Sequence, residues 1–399
     1  MKILVSNIGS TSFKFRLFDM RDGGETVLAA GSADRIGSTA RGGGVLKMRA
    51  GNAREQSRQI DFADHGECIR FVLRRLVDDG VLASPGDLGA VAFKAVMAGD
   101  CEPVALVDDT LLERMEYFVP VAPAHNPAYI QAMRMFREVL GGTPLVAAFE
   151  TGFHRTIPDR RRCYAVPPEW KRDHGVQRYG FHGASHRYIA VRTAELMPEA
   201  RRVISCHLGG SSSICAIRDG ASVGTSMGLS PQSGLPQGSR AGDFDPFAFA
   251  LLEARTGMDS RAVLRILGGK SGLAALSGTS GDMRDIRQAA EAGNEMAQLT
   301  LDVFVTAVRD YVGALLVELS GADAMVFTGG IGEHNPWLRE AVCGPMAFAG
   351  VVLDAAKNAA ASGECRIDAA GAKTAVWVMP TNEELIVARQ AKELLETRQ

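Results

Sequence analysis

Four segments of the chain join glycine to side chains that can donate hydrogen bonds. They are Asn7-Ile8-Gly9-Ser10-Thr11-Ser12, His207-Leu208-Gly209-Gly210-Ser211-Ser212-Ser213, Ser277-Gly278-Thr279-Ser280-Gly281-Asp282 and Thr328-Gly329-Gly330-Ile331-Gly332-Glu333. Small residues let backbone N–H groups come close to an anion, and hydroxyls add further donors, which is what a polyphosphate requires. One such segment is most often only a turn. Four of them, each beside a strand-like run, point together to phosphate chemistry. None matches GxxxxGK[ST] or GxGxxG, which disfavours a P-loop enzyme and a Rossmann dehydrogenase.

Histidines stand close to these segments. His125 lies in Ala122-Pro123-Ala124-His125-Asn126-Pro127, His182 and His186 in Tyr179-Gly180-Phe181-His182-Gly183-Ala184-Ser185-His186, and His207 opens the second glycine segment. A lone histidine is more often a satisfied structural residue than a catalyst. The HxxxH spacing could suggest a metal, but Gly183 weakens helix geometry between the two rings and no acidic ligand follows at metalloprotease spacing. As donors to a phosphoryl group in transfer, His182 and His207 make better chemical sense.

Arg240 sits between small residues in Gly238-Ser239-Arg240-Ala241-Gly242-Asp243, where a planar guanidinium could approach phosphate or carboxylate with two parallel bonds. Glu383-Glu384 follows Thr381-Asn382. It reads equally as acidic residues favoured at a helix start and as carboxylate support for hydrated magnesium.

The elements that must carry these residues alternate between strand and helix. Ile3-Leu4-Val5 is a buried strand, the Asn7–Ser12 segment a turn, and Phe13, Phe15 and Leu17 alternate with Lys14 and Arg16 in a returning strand. The same strand–tip–strand pattern recurs at Val203-Ile204-Ser205-Cys206-His207 and Ile214-Cys215-Ala216-Ile217, which suggests two copies of one architecture. Residues 37–51 read as a surface excursion. Residues 65–79 and 383–396 read as amphipathic helices, and residues 88–96, Leu145-Val146-Ala147-Ala148-Phe149, Ala324-Met325-Val326-Phe327 and 375–379 as strands. The longest helix spans residues 294–320, with Leu299, Val303, Ala307, Tyr311 and Leu315 as its apolar stripe, and Asn335-Pro336 caps another. The result is an α/β chain.

With 399 residues the chain is long enough for two domains. Forty-four basic and 46 acidic residues nearly cancel, giving no electrostatic reason to expect nucleic acid or an anionic membrane as partner. Arg160-Arg161-Arg162 is the densest basic cluster and reads as a solvated loop. Seven cysteines without a CxxC spacing argue against a zinc site or disulfide framework. The lack of a signal-like start and of an apolar run near the ~18 residues of a membrane span argues for the cytoplasm.

Taken in order, these motifs, together with Thr225-Ser226-Met227-Gly228, Asp282-Met283-Arg284-Asp285-Ile286 and Thr381-Asn382-Glu383-Glu384-Leu385, resemble the acetate kinase family over essentially the whole chain. The resemblance implies the fold of the acetate and sugar kinase/actin-like ATPase superfamily: two ribonuclease H-like domains flanking a cleft, with residues 1–149 and 383–399 in the first and 150–382 in the second. It implies a homodimer that reversibly transfers the γ-phosphoryl group of ATP to acetate with Mg2+, for which Mn2+ may substitute. By position, Asn7 and Arg240 would hold the phosphoryl group or carboxylate, and His182 would donate to the transition state. Ser10, Ser12 and Lys14 would support the phosphates, and His125 and His207 would line the site. Gly209, Gly210, Ser211, Asp282, Met283, Arg284, Gly330, Ile331 and Gly332 would hold the nucleotide. Glu150 would assist catalysis, and Asn7 and Glu383 would position the metal.

The chain also departs from the family pattern. Where the family usually has His-Arg-Val-Val-His-Gly-Gly, this sequence reads Phe93-Lys94-Ala95-Val96-Met97-Ala98-Gly99. Lys94 thus replaces a substrate-binding arginine, keeping the charge and losing the bidentate fork. Glu150 replaces an aspartate, Gly210 an asparagine, and Ala124 a leucine, the last widening an acyl pocket around Val96, Phe181 and Pro231. A kinase for propionate or butyrate and a weakly active nucleotide-binding regulator therefore stand as alternatives to acetate kinase.

Overall fold

The opening apolar run folds as β1 (Lys2–Ile8), with Ile3, Leu4 and Val5 wholly buried in the computed structural model. The structure describes residues 1–9, 11–21, 24–37, 43–51 and 53–398. Two units divide the chain, one made of Met1–Gly152 with Asn382–Gln399 and the other of Phe153–Thr381.

In the first unit β1 pairs antiparallel with β2 (Ser12–Arg21), placing Asn7 opposite Lys14 and Ile8 opposite Phe13. β3 (Gly24–Asp34), β4 (Val45–Ala50) and β5 (Gln56–Gln59) extend the sheet on one side. β6 (Ala90–Ala95), β7 (Val104–Leu106) and β8 (Leu145–Phe149) complete it in the order β5-β4-β3-β2-β1-β6-β8-β7, with β1, β6 and β8 parallel. Residues 37–51 are not merely a surface excursion. Val45–Ala50 pairs with β3 because Leu46 supplies a buried apolar position on that strand, while Gly42 lies outside the described residues. The final helix, Glu383–Glu396, returns to this sheet and packs on β1, β2 and β6, burying Ile386, Val387, Ala388 and Ala391.

The second unit repeats the plan. β9 (Arg202–Leu208), β10 (Ser212–Arg218), β11 (Ala221–Thr225), β12 (Ala324–Thr328), β13 (Cys365–Arg366) and β14 (Ala375–Val378) form a sheet ordered β11-β10-β9-β12-β14-β13. β9 and β10 are antiparallel, whereas β9, β12 and β14 are parallel. The central orders β3-β2-β1-β6-β8 and β11-β10-β9-β12-β14 correspond strand for strand. This is the ribonuclease H-like arrangement in duplicate.

The long helix is Glu295–Leu319, but only the later part of the expected stripe meets its buried face. Residues spaced strictly by four advance about 40° per step around a 3.6-residue helix, so such a stripe cannot stay on one face. Leu299 and Val303 are accordingly exposed, Ala307 and Tyr311 half-buried, and only Leu315 of the stripe is buried; the core face runs through Leu301, Phe304, Val308, Val312, Leu315 and Leu319. Arg160-Arg161-Arg162 belongs to a single helical turn, Asp159–Arg162, rather than a loop; Arg160 stays exposed as expected, and Glu318 pairs with both Arg160 and Arg161. Asn335 occupies the N-cap position of Pro336–Cys343 without a capping side-chain bond; its amide donates instead to the Ile331 carbonyl at 2.9 Å. No helix among the described residues is long and apolar enough to cross a membrane.

Candidate active site

The C-terminal ends of the parallel strands collect charge in the first unit. Lys94 is near the end of β6, Glu150 follows β8 directly, and Glu383 begins the final helix. The Lys94 ammonium donates directly to Glu383 Oε2 and lies 3.8 Å from Glu150 Oε1. Burial acts against the lysine's charge, but the Glu383 and Glu150 carboxylates outweigh it and hold the ammonium above its usual range. The helix Asn126–Leu140 brings in Tyr129, whose hydroxyl donates to Asn7 Oδ1 at 2.9 Å. Burial pushes that phenol up to about 12, so it stays a hydrogen-bond donor at neutral pH. Asn7 is thereby held in place beside the Lys94–Glu pair.

The first tip is closed by the Gly9 amide donating to the Ser12 carbonyl at 2.9 Å, and His65 Nε2 reaches the Gly9 carbonyl at 3.0 Å. A side chain at position 9 would put its Cβ 2.5 Å from Ser12 Oγ, so that hydroxyl would have to turn away. Ser12 is half-buried and Lys14 exposed, while Ser10 lies outside the described residues. Val96 is buried, Ala124 exposed and His125 half-buried. The Asn126 amide donates to the Met97 and Met115 carbonyls, both at 2.8 Å, tying the segment after β6 to the helix that carries Tyr129.

Four imidazoles cluster in the second unit. His182 precedes the helix Gly183–Leu196 with a left-handed backbone (φ 58°, ψ 30°), uncommon for a residue with a side chain. Its ring stacks on that of His207, at the end of β9, with centroids 4.2 Å apart. Cross-strand pairing sets Ser213 opposite His207, and Ser213 Oγ lies 2.7 Å from His182 Nδ1 and 2.9 Å from His186 Nε2. His186 Nδ1 is 2.8 Å from Ser205 Oγ, and His207 Nδ1 is 2.8 Å from Ser185 Oγ. Burial first, then the neighbouring His154 and His207, hold His186 well below the usual histidine range. His154 is pushed down to about 4 by burial, with one nitrogen 2.9 Å from the Phe181 carbonyl.

The remaining nucleotide-side residues interlock. Ser211 donates to Gln237 Oε1 at 2.7 Å, and Arg240 Nη1 donates to the same oxygen at 3.1 Å. Gln237 Nε2 in turn donates to the Pro231 carbonyl at 2.8 Å, so one buried amide ties the second glycine tip to the arginine loop. Burial lowers the Arg240 guanidinium from its ordinary value, but it stays charged. The Gly238 amide donates to the Gly210 carbonyl at 3.0 Å. Gly272 (φ +66°) backs this loop, because a Cβ there would fall 2.6 Å from the Arg240 carbonyl. Asp282 caps the helix Met283–Glu291 and receives two bonds from the Arg284 guanidinium, which hold it down to about 2. Met283 belongs to the unit's core, and Gly330, Ile331 and Gly332 lie in the helix Gly329–His334. Gly209 lies at the tip with its amide 3.2 Å from Ser212 Oγ, and Phe181 and Pro231 are buried.

The first unit therefore joins Asn7, Lys94, Glu150 and Glu383, and the second joins His182 with His207 and Arg240 with Ser211. Tyr129 and Gln237 are supporting residues that motif reading passes over, as is the partnership of Ser213, the last residue of the second glycine segment, with the two imidazoles. Counting hairpin register from His207 would have found Ser213. Among the described residues no three His, Cys, Asp or Glu side chains form a metal centre of their own. The oxygen donors of Glu150 and Glu383, with the Asn7 carbonyl nearby, suit a hard cation that keeps most of its waters.

The model of the acetokinase family matches residues 2–389. The chain belongs to the acetokinase family. The acetate kinase of Dictyoglomus thermophilum is 41% identical to it over 397 residues, 98% of either chain. An acetate kinase of Clostridium botulinum is 40% identical over 400 residues, 99% of either chain. Among solved structures, the Porphyromonas gingivalis acetate kinase superposes with a TM-score of 0.88 at 34% identity, each chain covered to 99%. The Francisella tularensis propionate kinase gives 0.89 at 31% identity, with 98% of each chain covered. This acetokinase thus has the acetate and sugar kinase/actin-like fold, and its two sheets are the family's duplicated ribonuclease H-like units.

Proposed function

We propose that this acetokinase is a magnesium-dependent acetate kinase, transferring the γ-phosphoryl group of ATP reversibly to acetate. The observation that carries the reading is the stacked His182–His207 pair at the end of β9, in an acetokinase that also keeps Asn7, Arg240 and Glu383. A carboxylate oxygen of the acid attacks the γ-phosphorus, the bond to the bridging oxygen breaks, and ADP leaves with the electron pair. The acid already carries its nucleophilic oxygen, so no strong base is required. What remains for the protein is to position the reactants and to stabilise charge on the equatorial oxygens.

The first unit's residues suit the acid and the metal. Lys94 supplies a cation for the carboxylate, Asn7 a polar group aimed by Tyr129, and Glu383 and Glu150 the carboxylates that would hold hydrated magnesium or manganese. Bound magnesium would offset the charge of the nucleotide phosphates. In the second unit His182 and Arg240 are donors for the phosphoryl oxygens, with His207 behind His182. Ser12, Lys14, Gly209, Gly210 and Ser211 suit the phosphates, and Asp282, Arg284 and residues Gly330, Ile331 and Gly332 of the short helix suit the nucleoside. We also infer a cytoplasmic homodimer; the exposed apolar Phe247, Leu251 and Leu264 of the second unit favour self-association.

A second reading, a preference for propionate, is favoured by Ala124 in place of a bulkier residue. The test of the main reading is ATP formation from ADP and acetyl phosphate with magnesium. Acetyl phosphate left unconsumed while ADP binds would refute it.

A further inference from the structure

Lys94 faces three ways at once. It contacts Glu383, lies 3.8 Å from Glu150, and occupies the position that the proposed function gives to binding the acid. A lysine carries a single compact charge on a flexible stem and lacks the fork with which arginine can grip two partners side by side. Tyr129 and Asn7 are neutral and bonded to each other. The nearby Glu384 has its own cation, with Arg16 Nη1 at 3.8 Å.

Charge arithmetic then couples two ligands. With Lys94 on the two carboxylates the group has a net charge of −1, which repels an incoming carboxylate. A divalent cation on Glu150 and Glu383 neutralises them and leaves the ammonium unsatisfied. We propose that Lys94 is the built-in counter-ion of the metal site: its ammonium neutralises Glu383 and Glu150 until a divalent cation replaces it, and the released ammonium then receives the carboxylate of the acid. Metal and acid therefore bind with positive coupling even without nucleotide, and each strengthens the other by the same factor. This inference rests on the proposed function for the identity of the acid and the metal.

The test is Mn2+ binding to the full-length protein without nucleotide, followed by electron paramagnetic resonance, in wild type, Lys94→Met and Lys94→Arg. Removing a competing cation within about 4 Å should tighten Mn2+ binding on the order of ten-fold in Lys94→Met. Lys94→Arg, which keeps the charge, should bind like wild type. Acetate should tighten Mn2+ binding in wild type and leave Lys94→Met unchanged. Mn2+ binding in Lys94→Met that is equal to or weaker than wild type overturns the proposal. Should that variant not fold, acylation of Lys94 in the wild type, located by mass spectrometry, gives the answer. Magnesium should speed it several-fold, and an unchanged rate overturns the proposal. Failure here is separable from failure of the functional reading. Wild type that forms acetyl phosphate without this metal response keeps the reading and loses the counter-ion. Tighter metal binding in Lys94→Met, with no acyl phosphate from wild type, does the reverse.

Discussion

The hydroxyl of Ser213 lies 2.7 Å from His182 Nδ1, and through its second contact, 2.9 Å to His186 Nε2, it links the site histidine to a buried one. A hydroxyl has one proton to give, so it can donate to only one of the two rings and must accept from the other, which couples the tautomers of His182 and His186. Ser213→Ala should lower kcat on the order of ten-fold by loosening the His182 ring, with the KM for ATP changed little. It should also cost about 1–3 kcal/mol of stability, because the buried His186 loses a partner. Steady-state kinetics alongside thermal denaturation would check this, and wild-type kcat would detach Ser213 from His182.

Acid should weaken the fold through the same cluster. His154 is held down to about 4 by burial and His186 is held low as well, whereas both rise to the ordinary range near 6.5 in the unfolded chain. Between those values the unfolded state binds protons that the folded state does not, so stability falls as pH falls from about 6.5 toward 4. Each histidine contributes a slope of up to ~1.4 kcal/mol per pH unit. Urea denaturation from pH 7 to pH 4.5 measures it. His154→Gln should flatten the slope, and an identical slope in the variant would remove His154 from the account.

Arg240→Ala should lower turnover on the order of 10²-fold or more, the loss expected for a transition-state clamp, while nucleotide affinity measured by calorimetry stays near wild type. The guanidinium is aimed by Gln237 Oε1, which also receives Ser211. Turnover close to wild type would exclude Arg240 from phosphoryl transfer.

Ala124→Leu should shift preference toward acetate. One methylene finding apolar surroundings gains roughly 0.8 kcal/mol, several-fold in kcat/KM, and an alanine at a position that lines the acyl group would leave room for it. The measurement is the ratio of kcat/KM for propionate over acetate in the two proteins. Equal ratios would show that residue 124 does not set the acyl preference.

Much of the fold is legible in the sequence because both sheets begin with the same pattern, a buried run, a glycine and hydroxyl tip, and an alternating return strand. The order of site motifs is legible for the same reason, since most sit at a strand end or helix start, the Arg240 loop excepted. What escapes reading is partnership across distance. Lys94 meets Glu383 across 289 residues, and Tyr129 meets Asn7 across 122; no local pattern encodes either. The left-handed backbone of His182 is likewise invisible, because tertiary packing and not propensity holds a histidine there. The apolar stripe assigned to residues 294–320 fails at Leu299 and Val303 and holds at Leu315, since the core face follows mixed steps of three and four.

The most direct measurement is acyl phosphate formation by the purified wild-type protein. With ATP, magnesium and a panel of C1 to C4 carboxylates, hydroxylamine traps any acyl phosphate as the hydroxamate while ADP release is followed in parallel. The account predicts acetyl hydroxamate in step with ADP, propionate as the strongest competitor, and no product without a divalent metal. ADP release without hydroxamate from any acid, or nucleotide binding with no turnover at all, would contradict it.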